Sequence, residues 1–330
     1  MDSQLRDAHL RTREVNGQIT SMLDRVEKPT LKDGEVLIKS EFSSINYKDA
    51  LGVTGRGQIF KKLPITGGID VSGSIVETRD SRFKVGDPVL VTGCGLGETH
   101  DGGYGQFVVE HASLVVPRPK NLSAREAMIY GTAGFTALLC LERMEQNGQT
   151  QDKGPILVTG ASGGVGQFAV KFFAEKKYRV WAMSGKPSAR ERLISLGAEK
   201  VISAEEYGFA KRPLETVRLG GVVDNVGGKV LSGVIPHVEL WGNVACVGLA
   251  ESAELHTTVM PLILRGVSFL GVSSNNTAWP LRLKIWGRLA EEFKSGLNDF
   301  VTAEVTLDQV VPTALRMLSR ETMGRIIVKI

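Results

Sequence analysis

Residues 156–173 read ILVTGASGGVGQFAVKFF. Three local signals follow one another there. Pro155 to Gly160 is a short apolar run, short enough for a buried strand. Gly160-Ala161-Ser162-Gly163-Gly164-Val165-Gly166 is a turn. From Val165 on, the apolar residues Val165, Phe168, Ala169, Phe172 and Phe173 fall at i, i+3, i+4, i+7 and i+8, one face of a helix. A strand, a glycine turn and a helix form the unit that cradles a diphosphate. Backbone must come close to the anion, so a Cβ is not tolerated at two or three positions. The free N–H groups and partial positive charge of the helix start then face it. A glycine string alone is weak; the strand–turn–helix setting makes it specific.

Toward the C-terminus the alternation continues. RVWAMS (179–184) reads as a strand, and SARERLISLGA (188–198) as a helix ended by Gly197. Residues 200–203, 221–227, 242–248 and 266–272 supply further strands, mostly too apolar for a one-sided sheet. Apolar strands alternating with helices mean a parallel sheet covered on both faces. An NAD-selective site wants Asp or Glu at the end of the second strand, where it meets the ribose. This chain has Met183-Ser184-Gly185-Lys186 there, with Arg190 a turn later. A hydroxyl and cations suit a 2′-phosphate, so the expected cofactor is NADPH rather than NADH.

Toward the N-terminus the pattern changes. Residues 123–144 read as a helix, with Ser123 and Glu126 as a capping box. From about residue 18 to 118 the chain reads as short strands (34–45, 67–78, 85–93 and 103–117) between glycine-rich turns, the pattern of a small barrel or rolled sheet. After residue 274 come a helix within 277–296 and a β-like tail, 324–330. The expected domains are 1–126 with 276–330, and 127–275.

The chain has 330 residues, 42% hydrophobic and 23% charged, so a large core is available. Lys+Arg exceed Asp+Glu by 40 − 36 = 4, and the charges are interspersed. That balance argues against a nucleic-acid partner. No stretch approaches the ~18 apolar residues of a membrane span, and the first thirty residues lack the apolar centre of a secretory signal. Cys94, Cys140 and Cys246 lie far apart with no CxxC, which disfavours a disulfide framework and fits the cytoplasm. The 38 glycines, with only 12 prolines, point to tight turns and close backbone approach.

An all-β domain before a dinucleotide domain, with Gly86-Asp87-Pro88-Val89 in the first and the glycine loop in the second, resembles the medium-chain dehydrogenase/reductase superfamily. The resemblance implies an α/β chain: a GroES-like β-barrel catalytic domain plus a Rossmann domain, a doubly wound parallel sheet that holds the cofactor. Zinc members carry a Cys after the first long strands and a Gly-His-Glu about twenty residues on. This chain has Ser44-Ile45-Asn46-Tyr47-Lys48-Asp49 and Gly67-Gly68-Ile69-Asp70 in those places. Both ligand positions are empty and the four-cysteine lobe is missing, so no metal is expected. His100 and His111 have no partners in the sequence to change that. Without zinc the expected chemistry is hydride transfer to an activated carbon–carbon double bond or a quinone. Hydrogen-bond donors would stabilise the charge that develops on oxygen.

The strings NYKDALGVTGRG, PITGGIDVSGSIV, AMIYGTAGFTALLCL, LVTGASGGVG, SGKPSARERLISLGA and TTVMPLILRGVSFLGV are similar to the acryloyl-CoA reductase group of that superfamily, the YhdH-type quinone oxidoreductases. The resemblance implies NADPH-dependent, metal-free reduction of acryloyl-CoA to propanoyl-CoA by a homodimer. It implies Tyr47 over the nicotinamide and in touch with substrate. Asn46 would orient the loop or the substrate, and Lys48 with Asp49 would be a structural pair. It implies Ser162, Gly163, Gly164 and Val165 at the diphosphate, and Ser184, Gly185, Lys186 and Arg190 at the 2′-phosphate. Asn225, Gly248 and Leu249 would line the nicotinamide ribose. Ser273 or Ser274 and the pair Gly324-Arg325 would close a crevice between domains, with Arg325 at the nicotinamide or the thioester. Some relatives carry a basic residue where this chain has Ser203-Ala204. The cations Arg56, Lys61 and Lys62 are candidates for the phosphates of coenzyme A. Residues 256–272 are the candidate dimer edge. Two other readings stay open: an NADPH-dependent quinone or small-enone reductase, and a non-catalytic NADPH-binding protein.

Overall fold

The computed structural model describes residues 8–330. They fall into two compact units. The first runs to Thr132 and resumes with Asn275–Ile330; the second is Ala133–Ser274. The first crossing therefore lies six residues beyond the expected 126/127 boundary, inside the helical run Ala124–Gln146. Gly131 breaks that run with φ 47° and ψ −152°, so the turns on either side belong to different units. The capping box is present: Glu126 Oε2 accepts from Ser123 N–H at 2.8 Å, and Glu126 N–H donates to Ser123 Oγ at 3.2 Å.

The first unit holds two sheets. In the larger the order is Val301–Val305, Arg325–Lys329, Glu35–Ile45, Asp70–Thr78, Pro88–Thr92, Val116–Pro117, with Phe107–His111 also paired to Glu35–Ile45. The Glu35–Ile45 strand is buried on both faces because this sheet rolls over two apolar clusters. Val36, Ile38, Val71, Ile75, Val89 and Val108 fill one, and Ile45, Val53, Tyr104, Val310 and Ile326 fill the other. The smaller sheet joins Gln18–Arg25, Ala8–Val15 and Ile65–Thr66. Asn16 and Gly17, at φ 52° and 76°, turn its hairpin, as an Asn-Gly pair favours. A strand pattern that begins at residue 18 misses Ala8–Val15. The sequence reading also misses Val301–Val305 and the helix Val310–Leu318.

The second unit is a six-stranded parallel sheet in the order Lys200–Ile202, Val180–Met183, Ile156–Val158, Leu219–Asp224, Val238–Cys246, Ser268–Gly271. The chain starts in the middle, builds to one side, then crosses to the other. The order reverses between Ile156–Val158 and Leu219–Asp224, the switch point at which such sheets take ligands. The strands end earlier than expected, at Asp224 rather than 227 and at Cys246 rather than 248. Asn225–Gly227 and Val247–Leu249 are thereby loops beyond the strand ends. Residues 256–272 are not one extended segment. Met260–Arg265 is a helix, and only Ser268–Gly271 is strand, at the sheet edge.

Candidate active site

The glycine loop lies at the switch point. The helix Gly164–Glu175 starts with Gly163 as its N-cap, and no side chain caps it. Its first N–H groups therefore have no intrahelical acceptor. Gly163 is exposed, and a Cβ built on it would meet only Gly160 O, at 3.4 Å. A Cβ on Gly166 would lie 2.5 Å from Gly160 O, so this glycine lets the helix start pack closely on the turn that leaves the strand. Ser162 is nearly buried, and its carbonyl accepts from Gln167 Nε2 at 3.1 Å. Val165 is half-buried.

Two neighbouring loops face the same strand ends. After Val180–Met183, Ser184 Oγ accepts from Lys186 N–H at 3.2 Å. Gly185 is exposed, and a Cβ added there would meet nothing within 4 Å. Lys186 is half-buried. Arg190 is exposed and spends one guanidinium nitrogen on Val201 O at 3.2 Å. Ser203 caps the helix Ala204–Tyr207. After Leu219–Asp224, Asn225 donates from Nδ2 to Thr159 O at 2.8 Å, and its Oδ1 is buried without a hydrogen-bond partner among the described residues. Asp224, which sequence reasoning passed over, ties the loops together. It accepts from Thr159 Oγ1 at 2.6 Å and from Gly227 N–H at 2.8 Å, and burial raises its carboxyl pKa. Gly248 lies against Asn225 O, Leu249 is exposed, and Ser273 and Ser274 close this unit's chain.

In the first unit, Asn46 caps the helix Tyr47–Val53, which makes Tyr47 its first residue. Tyr47 is 45% exposed. Asn46 is half-buried in a polar network. Its Nδ2 donates to Asp70 Oδ2 at 2.8 Å and Asp49 Oδ2 at 3.1 Å, and its N–H donates to Asp49 Oδ2 at 2.9 Å. Its Oδ1 accepts from Arg325 Nη1 at 3.1 Å. Asp70 also accepts from Ser44 Oγ at 2.6 Å and from the N–H and hydroxyl of Thr132 at 2.9 and 2.6 Å. Tyr104, wholly buried, donates to Ser44 O at 3.0 Å. Burial, and then the charge of Asp70, lift the Asp49 carboxyl to about 7.

This network bears on two expectations. Arg325, expected with Gly324 to close a crevice, is 2% exposed, and its three nitrogens donate to Ile129 O, Asn46 Oδ1 and Met128 O. The residue before it, Gly324, is half-buried with φ 61°. Lys48 does not pair with Asp49 but with Glu98, at 2.5 Å, while Asp49 serves Asn46 and Ile69 N–H. Arg56, Lys61 and Lys62 are exposed and form no ion pair with a described residue. The network's two buried carboxylates carried one legible signal each. Asp49 sits three residues after an N-cap Asn, and Asp70 follows a Gly-Gly pair; their meeting with Thr132 and Arg325 had none.

The sequence matches two family models, "Alcohol dehydrogenase GroES-like domain" over residues 32–120 and "Zinc-binding dehydrogenase" over 164–286. An acrylyl-CoA reductase, AcuI, of Ruegeria pomeroyi is 38% identical over 318 residues, 96% of this chain and 96% of that protein. This chain belongs to the medium-chain dehydrogenase/reductase superfamily. A Salmonella enterica yhdH oxidoreductase in complex with NADP has the same fold, with a TM-score of 0.94, 39% identity, and coverage of 98% of this chain and 99% of that one. Bacillus subtilis YhfP, which bears a quinone oxidoreductase name, is 43% identical over 302 residues, 91% of each chain. Its structure with NAD bound has a TM-score of 0.93, 38% identity, and coverage of 98% of this chain and 99% of that one. The members named for zinc need converging thiolates, imidazoles or carboxylates. Among the described residues no three His, Cys, Asp or Glu side chains converge, and Asn46 with Asp70 occupies the two segments concerned, so these residues do not fit a zinc site.

Proposed function

We propose that this oxidoreductase reduces the carbon–carbon double bond of a short α,β-unsaturated acyl-CoA, acryloyl-CoA to propanoyl-CoA, with NADPH. The observation that carries the substrate is the likeness to AcuI over 96% of the chain. The nucleotide fits the loops present: an uncapped helix start beside an open Gly163, a buried Asn225 Oδ1 without a partner among the described residues, and Lys186 where a carboxylate would select NADH. When bound, NADPH would supply the hydride that adds to Cβ and leave as NADP⁺, with a proton from water completing the product at Cα. The chain's own residues bind and orient. Ser162 through Val165 hold the diphosphate, and Ser184 through Lys186 with Arg190 hold the 2′-phosphate. Asn225, Gly248, Leu249, Ser273, Ser274 and Gly324 line the remainder. Tyr47 donates its hydroxyl to the thioester oxygen, where negative charge gathers. Arg56, Lys61 and Lys62, exposed and without ion-pair partners among the described residues, attract the phosphates of coenzyme A.

The assembly we propose is a homodimer through the edge strand Ser268–Gly271. Beside it Val259, Ile263 and Leu264 are 62%, 72% and 57% exposed, an apolar face suited to burial against a second copy. Three cysteines with no disulfide among them fit the reducing cytoplasm, and no helix among the described residues is long and apolar enough to cross a membrane.

Steady-state NADPH oxidation across acryloyl-CoA, crotonyl-CoA and simple quinones tests the reading. Acryloyl-CoA should be fastest by a wide margin. Equal rates on quinones would favour the second reading, a quinone or small-enone reductase, which the name of YhfP supports. Binding of NADPH without turnover on any of them would leave a nucleotide-binding protein.

A further inference from the structure

The turn that carries Tyr47 is built on one side chain, Asn46, and a primary amide can point either way. Its surroundings decide. Two buried carboxylates stand on one side and a buried guanidinium on the other. A carboxylate accepts and a guanidinium only donates. Turned over, the amide would face its oxygen to Asp49 and Asp70 and its N–H₂ to Arg325. Arg325 reaches Asn46 from the first residue of the C-terminal strand. Its other nitrogens grip the carbonyls of Met128 and Ile129, the last turn before the break at Gly131. One residue thus ties two distant segments, the C-terminal strand and the turn at Met128–Ile129, to the residue before Tyr47.

Resting on the reductase reading above, we propose that Arg325 is a positioning residue. Acting through Asn46, it holds the turn that aims the Tyr47 hydroxyl, and it touches neither substrate nor cofactor. A turn released from that hold misplaces the tyrosine by a fraction of an ångström or more, enough to slow turnover by about 10–100-fold. Cofactor affinity changes little, because the residues proposed to hold the diphosphate and the 2′-phosphate, 162–165 and 184–190, belong to the other unit.

The test places 3-fluorotyrosine at position 47 by codon suppression and records ¹⁹F spectra of the ligand-free protein. Arg325→Lys and Asn46→Leu should each shift or broaden the wild-type resonance. Arg282→Lys is the matched control: Arg282 is another buried arginine of the same unit, 2% exposed and bonded to Thr92 O at 2.8 Å. It should leave the resonance in place. In steady state, Arg325→Lys should lower kcat by about 10–100-fold with the NADPH Kd within about threefold. A wild-type resonance in Asn46→Leu or Arg325→Lys overturns the proposal, as does an equal disturbance in Arg282→Lys. Should Arg325→Lys fail to fold, Asn46→Leu decides alone. A wild-type enzyme that reduces no enone defeats the reductase reading, while the ¹⁹F comparison still judges the positioning role.

Discussion

Gly131→Ala should be a costly single-methyl addition in the first unit. Gly131 has φ 47° and ψ −152°, a conformation that side chains enter at a cost of about 1–3 kcal/mol. The added Cβ would lie 2.5 Å from Asp70 Oδ2, 2.8 Å from Arg325 Nη2 and 3.0 Å from Ser44 Oγ. Those atoms cannot swing aside cheaply. Asp70 is held by Ser44, Asn46 and Thr132, and Arg325 by two carbonyls and Asn46. Displacing the carboxylate forfeits one or two hydrogen bonds to a charged group, each worth about 1.5–3 kcal/mol. With the backbone strain, and allowing for non-additivity, the loss should be about 4–6 kcal/mol, a large share of a domain's ~5–15. Gly86→Ala is the reference, since Gly86 has φ 92° but nothing within 4 Å of the added carbon. It should suffer strain alone, about 1–2 kcal/mol. Native-state hydrogen exchange of the amides in Glu35–Ile45 and Asp70–Thr78 reads the stability of this unit by itself. If Gly131→Ala costs no more than Gly86→Ala, the packing argument for the network is wrong.

Lys186→Ala should weaken NADPH by about 10–100-fold, the loss of one charge-assisted contact, and leave NADH unchanged; a parallel fall in both titrations removes the 2′-phosphate assignment. Tyr47→Phe should lower kcat by about 100-fold, as loss of a donor to a developing oxyanion does, with the NADPH Kd nearly constant; unaltered kcat takes Tyr47 out of the chemistry. Asp49, lifted by burial and Asp70 to about 7, keeps its proton in the folded chain where an unfolded carboxyl, at about 4, has lost it. Its contribution to stability is therefore full below about pH 4 and is lost as pH rises toward 7. Asp49→Asn should flatten that decline in urea midpoints, and an unchanged slope between those values contradicts the assignment.

The Rossmann unit was legible from its residues because its signals are local. Val165, Phe168, Ala169, Phe172 and Phe173 share a helix face, and the glycines of 160–166 need no distant partner to mark a turn. Lys186 could be read the same way, from the missing carboxylate at a strand end. Other features escaped for lack of local signal. Val301–Val305 is a short strand of half-buried and exposed residues whose identity comes from pairing with Arg325–Lys329. The Ala124–Gln146 run keeps a helical pattern on both sides of Gly131, so its break shows only in the backbone. By resemblance Arg325 is expected at the nicotinamide or the thioester; the sequence shows its charge and not its burial.

What the amino-acid order alone determined, then, is an all-β pattern followed by strand–helix alternation around the glycine turn of 160–166, set by periodicity and by residues a few positions apart; the place of the tyrosine after Asn46 came from the family resemblance. What only the tertiary structure decided is the company Asn46 keeps. Asp49, Asp70 and Arg325 lie up to 279 positions from it along the chain, and a half-buried amide takes its orientation from whichever charges folding brings against it.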